Sequence, residues 1–327
     1  MDYIFIIAGF ALLIKGADYM VDGASSLAKT FGVSNLVIGL TIVAFGTSAP
    51  ELVASMMSAF SGNSDLAISN VIGSNISNLL LILGITALVY PIKTPSNTFY
   101  KEIPFMLAST ILFVLLVVFE PNQEITRPDA WILIMFFSIF LYYIFKQATK
   151  PKTILGIHKK EKVEEEVEDL VEKMPKWKSI SFTIGGLVGL VIGGKLIVDG
   201  AVSIAQSYNI PNSFIGVTII AIGTSLPELA SSVIAALKKN TDMAIGGIIG
   251  SNIFNSLWIL GATGTIMPLQ AYSGVERDAY FNIFVVILII VLLSISKNKF
   301  EINKKGGILL ILLYFSYIGY LIFDLLK

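Results

Sequence analysis

Long apolar segments dominate the chain, and short polar stretches separate them. Segments long enough to cross a bilayer of roughly 30 Å as a helix, which takes about 20 residues, occur five times in each half of the sequence. They lie near residues 3–22, 35–60, 66–90, 102–119 and 130–146, and then near 180–205, 212–237, 243–266, 279–296 and 306–324. Runs such as ILFVLLVVF do not alternate apolar and polar residues, which disfavours a β-barrel. The pattern predicts an all-α integral membrane protein with ten transmembrane helices.

Composition narrows the function classes further. The chain is 55% hydrophobic and only 14% charged, outside the usual range of soluble domains, and its net charge of zero gives no reason to expect nucleic acid as a partner. There is no cysteine, and the single histidine, His158, falls in a polar stretch that we expect to be solvated. The sequence has no HExxH motif and no nucleophile with a histidine partner. We therefore expect neither enzymatic catalysis nor a bound cofactor.

The two halves of the chain repeat one another. Residues 39–52, GLTIVAFGTSAPEL, match residues 216–229, GVTIIAIGTSLPEL, at a constant offset of 177. The alignment needs no gap between residues 16 and 84 of the first copy, so a whole structural unit is duplicated. Because each unit holds an odd number of spans, the second copy must enter the membrane from the opposite side. Inverted repeats of this kind are typical of secondary transporters, whose substrate site lies near the midplane at the repeat interface.

The polar stretches predict the division of the chain and its orientation. We predict a first five-helix repeat at 1–148, a charged cytoplasmic linker at 149–178 and an inverted second repeat at 179–327. With both termini outside, the inner loops hold eighteen basic residues, and the outer segments hold only Arg127, Arg277 and Lys327. Because basic residues favour the cytoplasmic side, we predict that both termini lie outside and the linker lies in the cytoplasm.

Each copy carries hydroxyl side chains beside a glutamate in an apolar span. Thr47 and Ser48 precede Glu51 by four and three residues, so the three side chains share one helix face. The matched residues of the second copy are Thr224, Ser225 and Glu228. A proline directly before each glutamate removes a backbone donor. We expect this to free carbonyl groups near Ala44, and near Ala221 in the second copy, to point into the site.

A second polar cluster occurs in the following span of each copy. Ser74 and Asn78 are four residues apart, again on one face, and they match Ser251 and Asn255. Together the clusters offer carboxylate, hydroxyl, amide and carbonyl oxygens, without sulfur or imidazole. Such a ligand set suits hard cations such as Ca²⁺ and Na⁺ and argues against zinc or copper.

The glutamates are the most informative of the buried polar residues. Glycines and prolines in membrane helices commonly serve packing or form kinks, and single hydroxyls often bond their own helix. A carboxylate at the bilayer centre costs about 2.5–3.5 kcal/mol on insertion scales, which a structural role rarely offsets twice at matched positions. Glu51 and Glu228 are therefore predicted cation ligands. The matched acids Asp65 and Asp242 are predicted helix N-caps.

These motifs resemble those of a known family. GTSAPEL with GSNISN, and GTSLPEL with GSNIFN, resemble the α-repeats of the cation/calcium exchanger superfamily, in particular the prokaryotic ten-helix members of its sodium/calcium exchanger branch. The resemblance covers essentially the whole chain. It implies an antiporter of the cell membrane in which the second, third, seventh and eighth helices form the ion site and the first and sixth slide across it. Na⁺ and Ca²⁺ are then the substrates, and we expect a functional monomer in the lipid bilayer.

The resemblance also implies individual ligands. Carried over by position, Ca²⁺ is bound by the carboxylates of Glu51 and Glu228 and by backbone carbonyls of Thr47 and Thr224. The implied Na⁺ ligands are the same glutamates with Ala44, Ser48, Ser74, Ala221, Ser225 and Ser251. Asn78 and Asn255 correspond to polar residues that complete the centre. Potassium-dependent relatives carry aspartate at the position of Asn255, so the asparagine here disfavours K⁺ cotransport.

Other functions remain to be weighed against sodium/calcium exchange. A Ca²⁺/H⁺ antiporter is the nearest alternative, because buried glutamates can also carry protons. The matched hydroxyls of the two GTS motifs, which a proton would not need, favour sodium. An ion channel usually has a continuous pore around an oligomer axis, and an inverted duplication supplies no such axis.

Overall fold

The computed structural model describes residues 2–120, 122–149, 173–208 and 221–325. Most of the predicted charged linker, residues 150–172, lies outside the described residues. So do residues 209–220, which include the beginning of the predicted span at 212–237.

Helices make up nearly all of the described chain. The first half contains α1 (Asp2–Phe31), α2 (Asn35–Thr47), α3 (Ala49–Phe60), α4 (Asp65–Val89), α5 (Thr98–Val118) and α6 (Arg127–Ala148). The second half contains α7 (Lys176–Ser207), α8 (Ala221–Thr224), α9 (Leu226–Leu237), α10 (Thr241–Ile266), α11 (Val275–Ile295) and α12 (Lys304–Leu325).

The helices are those of a multi-pass membrane protein. Among the described residues, eight helices are long and apolar enough to cross a bilayer, and α2 with α3 forms a ninth span that bends by 42° at Ser48. The predicted span at 212–237 is represented by α8 and α9 only, so the predicted count of ten is not confirmed. Within their most apolar stretches, 83% of α4 and 94% of α10 is buried, which places these two helices at the centre.

Four two-residue strands join the ends of the helices in a symmetric way. β1 (Ile92–Lys93) pairs antiparallel with β4 (Glu301–Ile302), and β2 (Glu124–Ile125) pairs antiparallel with β3 (Leu269–Gln270). The sequence offset of 177 converts β1 into β3 and β2 into β4. It therefore exchanges the two strand pairs, so each repeat contributes equivalent strands to both.

Helices α1 and α7 pack against each other along glycines. A Cβ atom at Gly16 would lie 2.8 Å from the carbonyl oxygen of Gly186, and one at Gly9 would lie 2.8 Å from that of Gly193. The offset of 177 converts Gly9 into Gly186 and Gly16 into Gly193, so these two contacts also exchange. The small residues let the two backbones cross in close contact, antiparallel to each other.

The predicted caps of α4 and α10 were wrong. The residue that precedes α4 is Ser64, and Asp65 is already inside the first turn. Before α10, the Asn240 side chain accepts the Met243 N–H at 3.2 Å, while Asp242 lies within the helix. In both places an acid in the first turn was mistaken for the residue that precedes it. The error is small because acids are favourable at either position.

Candidate cation centre

The two glutamates lie at equivalent breaks in the helices. Ser48 (φ −84°, ψ 6°) separates α2 from α3, and Ser225 (φ −88°, ψ 4°) separates α8 from α9. A proline near the start of the new helix follows each break, and Glu51 and Glu228 occupy the first turns of α3 and α9. Proline is well tolerated there, because a first-turn N–H has no intrahelical acceptor. Both glutamates are buried, with 1% and 3% of their surface exposed.

A hydrogen bond connects the two repeats at this point. The Ser48 hydroxyl donates to the Oε1 atom of Glu228 at 3.0 Å. The two glutamate carboxylates are close enough to repel each other, and the Oε2 atom of each has no hydrogen-bond partner. Two buried carboxylates brought together in this way require a shared positive charge to be stable in ionised form.

Other predicted hydroxyls divide between the site and their own helices. Ser74 interacts with the Glu51 carboxylate. Thr47 donates its hydroxyl proton to the Val43 carbonyl at 3.1 Å, so its side chain is partly occupied within α2. Thr47 is buried, whereas its counterpart Thr224 is only half-buried.

The expectation of a free carbonyl at Ala44 was wrong. The Ala44 oxygen accepts the Ser48 N–H at 3.0 Å, because the helix continues to that residue despite the following proline. Only its second lone pair is left for a cation. In the second repeat the Ser225 N–H instead donates to Ile222 at 3.2 Å, so Ala221 does not accept that bond.

The second predicted cluster is buried in α4 and α10. Ser74, Asn78, Ser251 and Asn255 are each at most 4% exposed. Asn78 begins a π-helical stretch, Asn78–Ile82, and Asn255 lies in the matching stretch, Phe254–Ile259. Such stretches occur frequently at functional sites.

Many polar atoms of the two clusters have no partner. Among the described residues these are Ser225 Oγ, Ser251 Oγ, both side-chain polar atoms of Asn78, Asn255 Oδ1 and the two glutamate Oε2 atoms. Buried polar groups are normally hydrogen-bonded, so this concentration of unpaired oxygens needs an explanation. An arrangement of carboxylate, hydroxyl and amide oxygens fits a hard cation.

Several polar residues near the centre were not predicted from the sequence. The Asn70 amide donates to Ser55 Oγ at 3.1 Å and to the Glu51 carbonyl at 3.4 Å. Asn75 donates to Ser256 Oγ at 2.8 Å and so links α4 to α10. The signal available in the sequence was an asparagine within an apolar span, and the partners become visible only when the helices are assembled.

Comparison with known proteins identifies the family. The family model described as sodium/calcium exchanger protein matches residues 1–146 and 178–323. This chain belongs to the sodium/calcium exchanger family. The family is one of membrane exchangers rather than enzymes. Its match skips the central segment and covers both repeats.

Full-length relatives agree with this assignment. The chain is 39% identical over 326 residues to CaxA of Alkalimonas amylolytica, which is described as an antiporter, with 98% of each chain covered. It is 32% identical to the sodium/calcium exchanger MaX1 of Methanosarcina acetivorans, with 97% of each chain covered. The chain is therefore similar to complete exchangers, not to one segment of them.

Solved structures agree on the fold. The sodium-calcium exchanger NCX_Mj soaked with 2.5 mM Na⁺ and 10 mM Sr²⁺ aligns with a TM-score of 0.82 at 31% identity, covering 97% of this chain and 98% of the other. The same exchanger soaked with 2.5 mM Na⁺ and 0.1 mM Ca²⁺ aligns with a TM-score of 0.80 at 30% identity, covering 97% of each chain.

Proposed function

We propose that this protein is a secondary antiporter that exchanges Na⁺ for Ca²⁺ by alternating access at the centre formed by Glu51 and Glu228. The observation that carries the proposal is the pairing of these two buried glutamates, from matched positions of the two repeats, through the bond from Ser48. Similarity to the exchangers MaX1 and NCX_Mj supports Na⁺ and Ca²⁺ as the two substrates.

The proposed ligands follow the two clusters. Ca²⁺ is bound by the two glutamate carboxylates with backbone carbonyls of Thr47 and Thr224. Na⁺ uses the same glutamates together with Ala44, Ser48, Ser74, Ala221, Ser225 and Ser251. Asn78 and Asn255 complete the centre with their amide oxygens. Their lack of hydrogen-bond partners supports this role for Ser225, Ser251, Asn78 and Asn255.

We also propose the architecture that alternating access requires. Ten transmembrane helices form two inverted repeats, at 1–148 and 179–327, with the linker 149–178 in the cytoplasm and both termini outside. The exchange of matched strands and matched glycine contacts supports an inverted relation between the repeats. A monomer suffices, because the whole centre comes from one chain.

The charges in the centre imply electrogenic exchange. Two glutamates neutralise one Ca²⁺, whereas three Na⁺ leave one positive charge in excess. For three Na⁺ per Ca²⁺, tenfold Na⁺ gradients and 100 mV supply about 6.5 kcal/mol in total. That sustains a Ca²⁺ gradient of between about four and five powers of ten, which suits calcium extrusion.

A Ca²⁺/H⁺ antiporter is the alternative, since CaxA is described as an antiporter without a stated coupling ion. We would separate the two by measuring ⁴⁵Ca²⁺ uptake into proteoliposomes loaded with Na⁺ or with K⁺, at fixed pH with a protonophore. Uptake that requires an outward Na⁺ gradient supports the proposal. Uptake that ignores Na⁺ and follows an imposed pH gradient instead makes the protein a proton-coupled antiporter.

A further inference from the structure

A buried carboxylate lies between α5 and α6, outside the proposed transport centre. Glu102 is 0% exposed, and the Tyr143 hydroxyl on α6 donates to its Oε1 atom. Its Oε2 atom has no hydrogen-bond partner. Of the basic side chains in the described ranges, none forms an ion pair with it. An uncompensated buried carboxylate is expensive, so a positive charge that balances it is expected.

The surroundings of Glu102 consist of further unpaired oxygens. Helices α5 and α6 run antiparallel, with Glu102 opposite Tyr143 and, one turn further into the membrane, the Phe105 ring 5.2 Å from the Phe140 ring. Continuing this register one turn the other way brings Thr98 opposite Gln147. Thr98 Oγ1 and Gln147 Oε1 are buried, and neither has a hydrogen-bond partner. Both therefore lie one turn from the Glu102 carboxylate, on the same helix interface.

The second repeat shows how such a position is balanced when the chain supplies the charge. The residues equivalent to Tyr143 and Gln147 are Tyr320 and Asp324. There, the Arg277 guanidinium lies 5.2 Å from the Tyr320 ring and donates to Asp324 at 2.6 Å and to Asp278 at 2.9 Å. The residue equivalent to Arg277 in the first repeat is Tyr100, which carries no charge. One repeat thus has a built-in cation where the other has only oxygens.

We propose that Glu102, Thr98, Gln147 and Tyr143 form a second cation site, separate from the transport centre, which binds one monovalent metal ion, Na⁺ or K⁺. The all-oxygen ligand set selects a hard cation. The single carboxylate selects a charge of one, because a divalent ion would leave a buried excess charge. The bound ion ties α5 to α6. The latter helix packs against α10 next to Asn255, through the Phe137 ring 4.8 Å from Phe254.

The test requires a protein whose transport centre cannot bind the same ions. We would use the double variant Glu51→Gln, Glu228→Gln, purified in choline chloride, and measure equilibrium binding of ²²Na⁺ and of ⁸⁶Rb⁺, a K⁺ substitute. We expect saturable binding of a single ion per chain, with the two isotopes identifying which ion is preferred. Adding Glu102→Gln should abolish this binding, and Thr98→Val should weaken it at least tenfold. Glu120→Gln, an acid in the turn after α5, is the matched control and should leave binding unchanged.

Thermal unfolding of the same variants guards against a trivial loss of structure. In choline alone, Glu102→Gln should melt at the same temperature as the double variant or higher, because it removes an uncompensated charge. Saturating cation should raise the melting temperature of the double variant by roughly 2–4 °C and leave Glu102→Gln unmoved. The proposal is overturned if the folded double variant binds neither isotope at 100 mM, or if binding survives Glu102→Gln. Neither result bears on sodium/calcium exchange, because the transport glutamates are absent throughout.

Discussion

Replacing each transport glutamate by glutamine should separate a ligand role from a structural one. Glu51 and Glu228 are both buried, and their carboxylates repel each other in the absence of a cation. A unit charge about 4 Å from another, at an effective dielectric constant of about 20, interacts by about 4 kcal/mol. Losing one carboxylate should therefore lower Ca²⁺ affinity by about 10³-fold or more, for either variant.

The ion-free protein should respond in the opposite direction. Glutamine fills the same volume as glutamate and removes the repulsion between the carboxylates, so Glu51→Gln should unfold at the same temperature as wild type or higher. The large Ca²⁺-induced rise in melting temperature of wild type should disappear in both variants. ⁴⁵Ca²⁺ equilibrium binding and thermal unfolding with and without Ca²⁺ measure the two effects. Glu120→Gln is again the matched control and should behave as wild type.

The reasoning would be refuted by a particular combination of results. If Glu51→Gln or Glu228→Gln binds Ca²⁺ within about tenfold of wild type but unfolds at a lower temperature, the glutamate holds the fold and does not bind the ion. If only one of the two matters, the centre is not shared equally between the repeats.

Three further variants test single contacts. Ser48→Ala loses a charge-assisted bond to a buried carboxylate and should lower the free energy of unfolding by about 1.5–3 kcal/mol, whereas Ser225→Ala, whose hydroxyl has no partner, should not; both should raise the Na⁺ concentration needed for half-maximal exchange. Gly16→Ala places a Cβ 2.8 Å from a backbone oxygen and should cost about 1–3 kcal/mol, whereas Gly185→Ala, with nothing within 4 Å, should cost nothing. Lys238→Met breaks two partly exposed 2.6 Å ion pairs to α1 and should cost about 1 kcal/mol or less, vanishing at high salt.

Thermal unfolding and Na⁺-dependent uptake measure these effects. Equal unfolding temperatures for Ser48→Ala and Ser225→Ala would contradict the importance of the bond between the repeats. A stable Gly16→Ala would show that α1 and α7 can separate freely. A loss in Lys238→Met that persists at high salt would mean that its contacts are not mainly electrostatic.

The sequence predicted the cation centre well, and the reason is energetic. A glutamate in an apolar span is costly, and the repeat places a second one at the matched position, so Glu51 and Glu228 stand out without any structure. Membrane helices are equally visible, because the bilayer demands long apolar segments. The match to the sodium/calcium exchanger family confirmed the transporter class.

Other features depended on competition that a sequence pattern does not resolve. Thr47 shares a helix face with Glu51, yet its hydroxyl bonds its own helix at Val43, while the neighbouring Ser48 reaches across to Glu228. Both choices satisfy the same chemistry, and only the distance between the two repeats decides between them. The break at Ser48 rather than at the proline-facing carbonyl also left the Ala44 oxygen occupied, contrary to expectation.

The central claim is that Na⁺ drives Ca²⁺ through one centre built by both repeats. It is tested most directly by initial rates of ⁴⁵Ca²⁺ uptake into Na⁺-loaded proteoliposomes containing wild type, Glu51→Gln or Glu228→Gln, at clamped pH and membrane potential. We predict rapid uptake by wild type that stops when internal Na⁺ is replaced by choline, and no uptake above empty liposomes by either variant. Sodium-driven uptake that survives in either variant would contradict the account.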